Sequence, residues 1–317
     1  MSRIHEALKK AEQERAIAQG GSVDPSYVRE SRASETAPTV VMDQPPVAET
    51  DRIPTSGNGR VSEAPFGVFT EEMLETRSVL HEWKPRLQSM LFFGPEENVR
   101  GTEQFRTLRS RFYAMRERLP LKTILVASAL PNEGKSFVAA NLAQVLARQE
   151  GRRVLLIDGD MRKSSLHTAL GTNLTPGLGD YLLGEFDELS AMQRGPMDNL
   201  FFMPSGRTVE HPAELIGNGR LGNLIQRVGH LFEWIVIDSP PAVPVSDASQ
   251  LSKFVDGVLM VVRSNETPYD SAQRAQREFD GKPLVGVVLN GMMRDSAYPK
   301  YVYEAYEKPF PRKAPQP

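Results

Sequence analysis

One short segment of the sequence carries the residue types that bind phosphate groups. Residues 129–136 read ALPNEGKS; they follow an apolar run and precede a helical pattern. Gly134 would let successive backbone N–H groups face a phosphate, and the helix adds its positive N-terminal end. Lys135 would reach the β- and γ-phosphates of a nucleotide, and the Ser136 hydroxyl would bind Mg²⁺. The segment therefore predicts a P-loop, although Ala129 stands where the usual pattern has its first glycine.

Two other segments end apolar runs with carboxylates. VLLIDGDMRK ends with Asp158 and Asp160 on one side of an extended chain, and WIVIDSPP places Asp238 at the end of its run. Ligands bind at the carboxyl ends of parallel strands, and a buried aspartate there is costly unless it faces Mg²⁺ or its waters. A helix N-cap is the alternative for Asp160, and it is the expectation for Asp247.

The elements that must position these residues alternate along the chain from Glu97 onward. Helical patterns cover 99–117 and Ser136–Glu150, and a short helix could cover Glu71 to Leu80. Continuous Val, Ile and Leu runs separated by helices predict an α/β fold with a mostly parallel sheet covered on both faces. The expected strands are Lys122–Ser128, Arg153–Ile157, Leu200–Met203, Trp234–Ile237, Gly257–Val262 and Leu284–Leu289.

Composition divides the chain into segments. Residues 1–19 form an amphipathic pattern, either a fraying solvated helix or a docking helix for a partner. Residues 20–65 are rich in Ser, Thr, Pro, Gly and Ala and predict a disordered linker. The P-loop domain covers 97–291, and a mobile tail rich in tyrosine covers 292–317. Between the linker and the P-loop domain lies 66–96, a segment whose apolar side chains could pack on a core: Trp83, Leu91, Phe92 and Phe93.

Charge and composition exclude several classes of function. The 317-residue chain has a formal net charge of −2, which gives no indication of a nucleic-acid partner. It has no cysteine, which excludes disulfides and Cys-ligated metals and is typical of a reducing cytosol. No apolar run approaches the roughly 18–20 residues that cross a bilayer. We therefore expect a cytoplasmic protein that reaches a membrane only through a partner or a surface helix.

The three site segments together resemble the bacterial tyrosine autokinases of exopolysaccharide and capsule systems, within the broad class of MinD and ParA ATPases. The resemblance covers about residues 97–306 and includes EQFRTLR at 103–109, PGLGDYL at 176–182, PAELI at 212–216 and VVLN at 287–290. The opening MSRIHEALKKAEQER is similar to relatives without a fused transmembrane half. MinD and ParA proteins carry a second lysine where this chain has Leu130, which argues against a positioning ATPase.

The resemblance implies a P-loop kinase domain that uses ATP and Mg²⁺. Lys135 and the P-loop amides would neutralise the γ-phosphoryl group, and Asp158 would take or orient the tyrosine hydroxyl proton. Asp160 and Asp238, with Ser136, would hold Mg²⁺. The implied ATP-binding residues are Ala129, Leu130, Pro131, Asn132, Glu133, Gly134, Lys135, Ser136 and Phe137, with Arg162 for phosphate or carboxylate and Asn290 for adenine.

Four of the eight tyrosines lie in the last twenty residues: Tyr298, Tyr301, Tyr303 and Tyr306. Prolines, charges and the absence of an apolar stripe favour a mobile phosphoacceptor cluster, with an edge strand or aromatic packing as the alternative. From Gly291 to Tyr306 an extended chain covers on the order of 50 Å, enough to reach another subunit.

Glu103, Arg106 and Arg109 form one stripe of a helix. A surface salt-bridge ladder would explain the stripe, whereas the resemblance implies a contact that closes a homo-oligomeric ring. It also implies a transmembrane chain-length regulator (a polysaccharide co-polymerase) as activator, a cognate phosphatase, and a position at the inner face of the cell membrane. Three hypotheses stay open: a tyrosine autokinase, a MinD/ParA-like positioning ATPase, and an ATP-dependent scaffold without kinase activity.

Overall fold

The computed structural model describes residues 68–94 and 99–292. The predicted helix at 1–19, the linker at 20–65 and the four tail tyrosines lie outside the described residues. The strands within them are β1 (Val79–Leu80), β2 (Thr123–Ser128), β3 (Val154–Asp158), β4 (Gln193–Arg194), β5 (Leu200–Met203), β6 (Trp234–Asp238), β7 (Gly257–Arg263) and β8 (Leu284–Asn290).

The helices flank this sheet on both sides. They are α1 (Glu71–Arg77), α2 (Val99–Arg116), α3 (Lys135–Ala147), α4 (Leu166–Leu170), α5 (Leu178–Leu183), α6 (Pro212–Gly217), α7 (Arg220–Val228), α8 (Asp247–Ser252) and α9 (Tyr269–Arg277), with a 3₁₀ turn at Gly229–Leu231. No helix of the described ranges is both long and apolar enough to cross a membrane.

The strand order is β1-β4-β5-β3-β6-β2-β7-β8, and every neighbouring pair is parallel except β4 with β5. The mostly parallel sheet predicted from the sequence is confirmed. β6 lies between β2 and β3, and its last residue, Asp238, is in register with both Val126 and Asp158. The carboxyl ends of three neighbouring strands therefore meet at one edge of the sheet.

Alternate residues of the central strands point to opposite faces, and both faces are buried. In β2, Leu125 and Ala127 belong to one apolar cluster, and Ile124 and Val126 belong to the other. Helices cover both surfaces, so every residue of β2 is buried, and between Thr123 and Ser128 the strand is apolar without a break. The two clusters hold the strands so that their polar ends project at a rigid edge.

The first described segment, residues 68–94, packs on this core. Trp83, Leu91 and Phe92 are buried and Phe93 is half-buried, as the sequence indicated they could be. The Trp83 ring meets the Phe202 ring edge-on at 6.2 Å between centroids.

Element boundaries differ slightly from the predicted ones. The six predicted strands are present, with ends shifted by one residue at most, while α3 ends at Ala147 instead of Glu150. The span predicted as one helix, Glu71 to Leu80, is α1 followed by β1. β1 and β4 were not predicted, because two residues are too short to show any periodicity.

Candidate active site

The predicted P-loop joins β2 to α3 and has the conformation that its sequence requires. Gly134 has φ of 92°, in the left-handed region that favours glycine. A Cβ at Gly134 would collide with the side-chain amide of Asn290. That amide donates a hydrogen bond to the Glu133 carbonyl at 2.9 Å. Asn290, the last residue of β8, therefore contacts the P-loop at Gly134, where no side chain larger than hydrogen would fit.

A second set of contacts, through the buried Glu133 and the Asn132 carbonyl, fixes the conformation of the P-loop. The buried Glu133 carboxylate accepts hydrogen bonds from the Leu130 N–H at 2.7 Å and from the Thr267 hydroxyl. Arg263 Nη1 donates to the Asn132 carbonyl at 3.0 Å. Arg263 is the last residue of β7, and Thr267 lies in the loop after it. Neither residue was predicted from the sequence. No motif marks them, because their role depends on strand order.

Lys135 is the first residue of α3, and its side chain extends toward the carboxyl ends of the strands. Its Nζ lies 3.6 Å from Asp160 Oδ2 and 3.4 Å from Ser136 Oγ. Asp160 is nearly buried, and its Oδ1 accepts a hydrogen bond from the Lys163 N–H at 2.9 Å. Asp160 thus caps a turn after β3 rather than a helix, and its other oxygen faces the P-loop lysine.

Asp158 and Asp238 end neighbouring strands in register, and both are buried. Burial raises the pKa of the Asp158 carboxyl, and the negative charge of Asp238 raises this pKa further. Burial also raises the pKa of Asp238, while Lys135 and a hydrogen bond with Ser136 oppose that shift. The two carboxylates therefore form a coupled pair that favours a nearby positive charge.

The oxygen atoms around Asp238 fit Mg²⁺. Asp238 Oδ1 is buried and has no hydrogen-bond partner among the described residues. A buried carboxylate oxygen without a partner is costly unless a cation or its water occupies the position. The side chains of Ser136, Asp160 and Asp238 would offer only oxygen atoms, the ligands that Mg²⁺ prefers in proteins.

Ser164 fixes the orientation of Asp158 and was not predicted. Its Oγ donates to Asp158 Oδ2 at 2.7 Å, and the Asp160 N–H donates to Asp158 Oδ1 at 3.1 Å. Ser164 Oγ also lies 2.9 Å from His167 Nδ1, and burial lowers the pKa of His167. A chain of hydrogen bonds thus leads from buried Asp158 to a partly exposed histidine.

A pocket of about 510 Å³ opens above these groups. Its charged end carries Lys135 and Asp160, and its apolar wall carries Pro240, Pro241 and Val245. Among the predicted ATP-binding residues, it is lined by Pro131, Asn132, Gly134, Lys135, Ser136, Phe137 and Arg162. Asn290 instead lies with Phe137, Phe105 and other residues on a separate pocket of about 390 Å³.

The remaining P-loop residues shape the loop from behind. Ala129 is fully buried, and its carbonyl accepts a hydrogen bond from the Val243 N–H at 3.2 Å. Leu130 is partly buried and packs against the apolar core.

Asp247 does not cap the helix in which it lies. The sequence predicted a helix cap, but the N-cap of α8 is Ser246, and Asp247 is the first residue inside the helix. Its fully buried carboxylate instead receives two hydrogen bonds from Arg162, from Nε at 2.7 Å and from Nη2 at 3.1 Å. The cap prediction was wrong because a residue 85 positions away supplies a stronger, charged partner.

The stripe on α2 has partners within its own chain. Glu103 pairs with Arg106, and Arg109 Nη1 donates to the Val145 carbonyl of α3 at 3.1 Å. These contacts agree with the salt-bridge alternative for Glu103 and Arg106, and they leave the intersubunit contact as a prediction.

Comparison with known proteins gives the family of this site. Residues 124–308, more than half of the chain, match the CobQ/CobB/MinD/ParA nucleotide binding domain. The chain is 33% identical over 220 residues to the tyrosine-protein kinase YwqD of Bacillus subtilis (strain 168), covering 68% of this chain and 92% of that protein. It is 34% identical over 208 residues to the tyrosine-protein kinase wzc of Salmonella typhimurium, covering 65% of this chain but only 29% of that protein.

Solved structures similar to this chain include a tyrosine kinase domain. The chimerical protein CapA2B2 matches with a TM-score of 0.60 and 30% identity over 70% of this chain and 99% of that one. The kinase domain of the Escherichia coli tyrosine kinase ETK matches with a TM-score of 0.60 and 25% identity, over 74% and 98% of the two chains. The chain therefore belongs to the CobQ/CobB/MinD/ParA nucleotide-binding family and, within it, to the bacterial tyrosine-protein kinases. The predicted resemblance and enzyme class are confirmed.

Proposed function

We propose that this chain is an autokinase that transfers the γ-phosphoryl group of ATP to tyrosines of its own C-terminal tail, between subunits. The observation that carries the proposal is the meeting of three groups at one sheet edge. Lys135 on the P-loop, Asp160 beside it, and the buried Asp158–Asp238 pair all lie where a nucleotide's phosphates would bind. This arrangement provides positive charge, metal ligands and a proton acceptor together.

The phosphate groups would bind along the P-loop and the start of α3. Backbone N–H groups near Gly134 and the Lys135 ammonium neutralise the phosphate oxygens. Ser136, Asp160 and Asp238 would hold Mg²⁺, which supplies charge neutralisation for the β- and γ-phosphate oxygens when bound. The hydrogen bonds of Glu133 keep the loop in this shape before the nucleotide arrives.

The chemical step needs a positioned tyrosine and a proton acceptor. The tyrosine oxygen forms a bond to the γ-phosphorus, and the bond from that phosphorus to the β,γ-bridging oxygen breaks, so ADP leaves with the electron pair. The hydroxyl proton passes to Asp158, whose orientation is set by Ser164. Pro240, Pro241 and Val245 offer an apolar wall for the phenol ring.

Leu130 favours the kinase over a positioning ATPase. In that alternative a second P-loop lysine reaches across a dimer to the partner's phosphates. Here Leu130 packs on the apolar core, and its N–H is bound by Glu133. An apolar side chain held in this way cannot supply a charge to a second active site.

Asn290 is the proposed reader of adenine. Its Nδ2 is already bonded to the P-loop, but its side chain also lines the 390 Å³ pocket with Phe105 and Phe137. A purine ring could pack against these aromatic rings beside the P-loop. Its phosphates would then extend along the loop.

The wider biological setting is also a proposal. The kinase would assemble as a ring through the stripe of Glu103, Arg106 and Arg109. It would be activated by a transmembrane polysaccharide co-polymerase at the inner face of the membrane and reset by a cognate phosphatase. This cycle would regulate the synthesis or export of an exopolysaccharide, the setting that the sequence resemblance implies.

Mass spectrometry of the purified chain after incubation with Mg-ATP tests the proposal. Phosphotyrosine at Tyr298, Tyr301, Tyr303 or Tyr306 supports the autokinase. ATP hydrolysis without phosphotyrosine would favour the positioning ATPase, and ATP-dependent assembly with neither reaction would favour the scaffold. The assay is run with and without the cytosolic segment of a co-polymerase, so that an inactive isolated chain is not mistaken for a non-kinase.

A further inference from the structure

We propose that Asp247 is a positioning residue that holds the Arg162 guanidinium at the mouth of the phosphate pocket. There, Arg162 binds oxygens of the phosphoryl group that is transferred. The inference deepens the proposed kinase function and rests on it.

The geometry of the pair fixes the plane of the guanidinium. Arg162 Nε lies 2.7 Å from Asp247 Oδ2, and Nη2 lies 3.1 Å from Oδ1, so two parallel hydrogen bonds join two planar groups. The Asp247 side chain is fully buried, whereas the Arg162 side chain is 42% exposed. The rigid partner is therefore the aspartate inside the fold, and the arginine is the group presented to the surface.

The exposed part of Arg162 faces the phosphate pocket. A guanidinium has five N–H donors, and the pair with Asp247 uses two of them. Arg162 lines the same pocket as Lys135, Ser136 and Asp160. Three N–H donors of Arg162 are therefore left for a ligand in this pocket.

This position suits a phosphoryl group during transfer. Charge is then spread over three equatorial oxygens, and a planar group with several fixed donors binds such oxygens well. A donor that is already oriented requires no reorganisation at the moment of reaction. Asp247 supplies that orientation, because a lone arginine on the surface would sample many rotamers.

A second buried ion pair provides a matched control. Asp180 is also buried, and its Oδ1 accepts from Arg207 Nε at 2.8 Å, with the Arg207 side chain 46% exposed. Arg207 and Asp180 do not line the phosphate pocket. If ion pairs of this kind act only on stability, the two aspartates should behave alike when substituted.

The main experiment compares Asp247→Asn with Asp180→Asn in the full chain. Asparagine keeps the shape but replaces one acceptor oxygen by a donor. We expect Asp247→Asn to lower kcat for tail phosphorylation by about tenfold to hundredfold, the range for a charge-assisted hydrogen bond lost in the transition state. Binding of a non-hydrolysable ATP analogue should weaken while binding of ADP does not change. Asp180→Asn should lower the thermal unfolding midpoint but leave kcat and both affinities at wild-type values.

Arg162→Lys gives a second route if Asp247→Asn folds poorly. Lysine keeps the charge that compensates buried Asp247 but loses the planar fork, so the same loss of kcat and of analogue binding is expected. In the double variant the kcat should equal that of Arg162→Lys alone, because Asp247 acts through Arg162.

Wild-type kcat and analogue affinity in a folded Asp247→Asn protein would overturn the proposal, and so would additive losses in the double variant. If the wild-type chain binds ATP without forming phosphotyrosine, the kinase function fails by itself. The contrast between the ATP analogue and ADP then still decides whether Asp247 positions Arg162 toward the third phosphate.

Discussion

At the scale of single residues, the site buries two neighbouring carboxylates, and burying their charges costs free energy on folding. Asp158 and Asp238 lie in register on adjacent strands, fully removed from solvent, and each raises the cost of ionising the other. One oxygen of Asp238 lacks any hydrogen bond within the described part of the chain. Such groups destabilise a fold when they are left without a counter-charge, so their presence indicates a site shaped for a cation and phosphate.

Asp238→Asn separates the functional role of this charge from its structural cost. Tyrosine phosphorylation should be abolished, since the variant lacks a carboxylate needed to hold the metal. The thermal unfolding midpoint in a buffer with EDTA should be equal to or above the wild-type value, because the variant removes a buried carboxylate that lies beside Asp158 and has one oxygen without a hydrogen bond. Calorimetry of both proteins without nucleotide measures this. A lower midpoint would mean that the Asp238 charge is compensated within the fold.

Asp158→Asn tests the proton acceptor. The amide keeps a hydrogen-bond acceptor for the Asp160 N–H but cannot take a proton from the tyrosine. We expect ATP binding to persist and the rate of tail phosphorylation to fall by about 10²-fold or more, the usual contribution of a general base. Quench-flow with labelled ATP measures this rate, and a wild-type rate would show that Asp158 is not the base.

Lys135→Met removes the phosphate-binding charge and keeps a straight side chain of similar length on α3. Autophosphorylation should fall by orders of magnitude while the circular dichroism spectrum stays that of the folded protein. Phosphotyrosine at wild-type level in this variant would mean that the P-loop assignment is wrong.

At the scale of elements, α3 connects the P-loop to the first described segment. Asn141 on α3 is fully buried; its Oδ1 accepts from the Leu91 N–H and its Nδ2 donates to the Ser89 carbonyl, each at 2.8 Å. Gln144, one turn later, accepts from the Phe92 N–H at 3.3 Å. The helix that begins at the phosphate site is thus fixed along its length by backbone groups some fifty residues earlier.

Asn141→Ala should therefore be costly. The buried Leu91 N–H and the partly buried Ser89 carbonyl would lose their partners, so the free energy of unfolding should fall by about 2 kcal/mol or more. Asn223, which is exposed on α7, is the matched control, and Asn223→Ala should change the free energy by less than about 0.5 kcal/mol. Urea denaturation of both variants gives the comparison, and equal values for the two would contradict the proposed link.

At the scale of the whole molecule, the proposed tail would act as both substrate and switch. β8 ends at Asn290, at an edge of the sheet and in contact with the P-loop, so the tail starts close to its own active site. A reach of about 50 Å to Tyr306 allows it to enter a neighbouring subunit instead. A tyrosine bound near the neighbour's Asp158 and Asp238 becomes an anion beside carboxylates once it is phosphorylated.

Phosphorylation should therefore break the assembly. Each phosphate adds about −1.5 to −2 charge, so four modified tyrosines add roughly −6 to −8. Light scattering on unmodified and ATP-treated protein should show a fall in mass after phosphorylation. The control replaces Tyr298, Tyr301, Tyr303 and Tyr306 by Phe and should keep its mass with ATP. If the phosphorylated protein stays as large as this control, the switch is refuted although the kinase function stands.

The sequence by itself determined the parallel α/β sheet, the P-loop and the two aspartate-bearing strand ends. These features depend on local signals: unbroken apolar runs, a glycine before a lysine at a helix start, and acids that follow a strand. The family follows from the same segments, since their spacing along the chain is specific.

Only the tertiary structure decided how Asp247, Thr267 and Ser164 take part in the site. Asp247 meets Arg162 across 85 residues, and Thr267 meets Glu133 across 134. Ser164 is near Asp158 in sequence, but its bond depends on how the loop after β3 turns. A polar residue's partner is set by which strands become neighbours, and strand order is a property of the folded sheet that no local pattern contains.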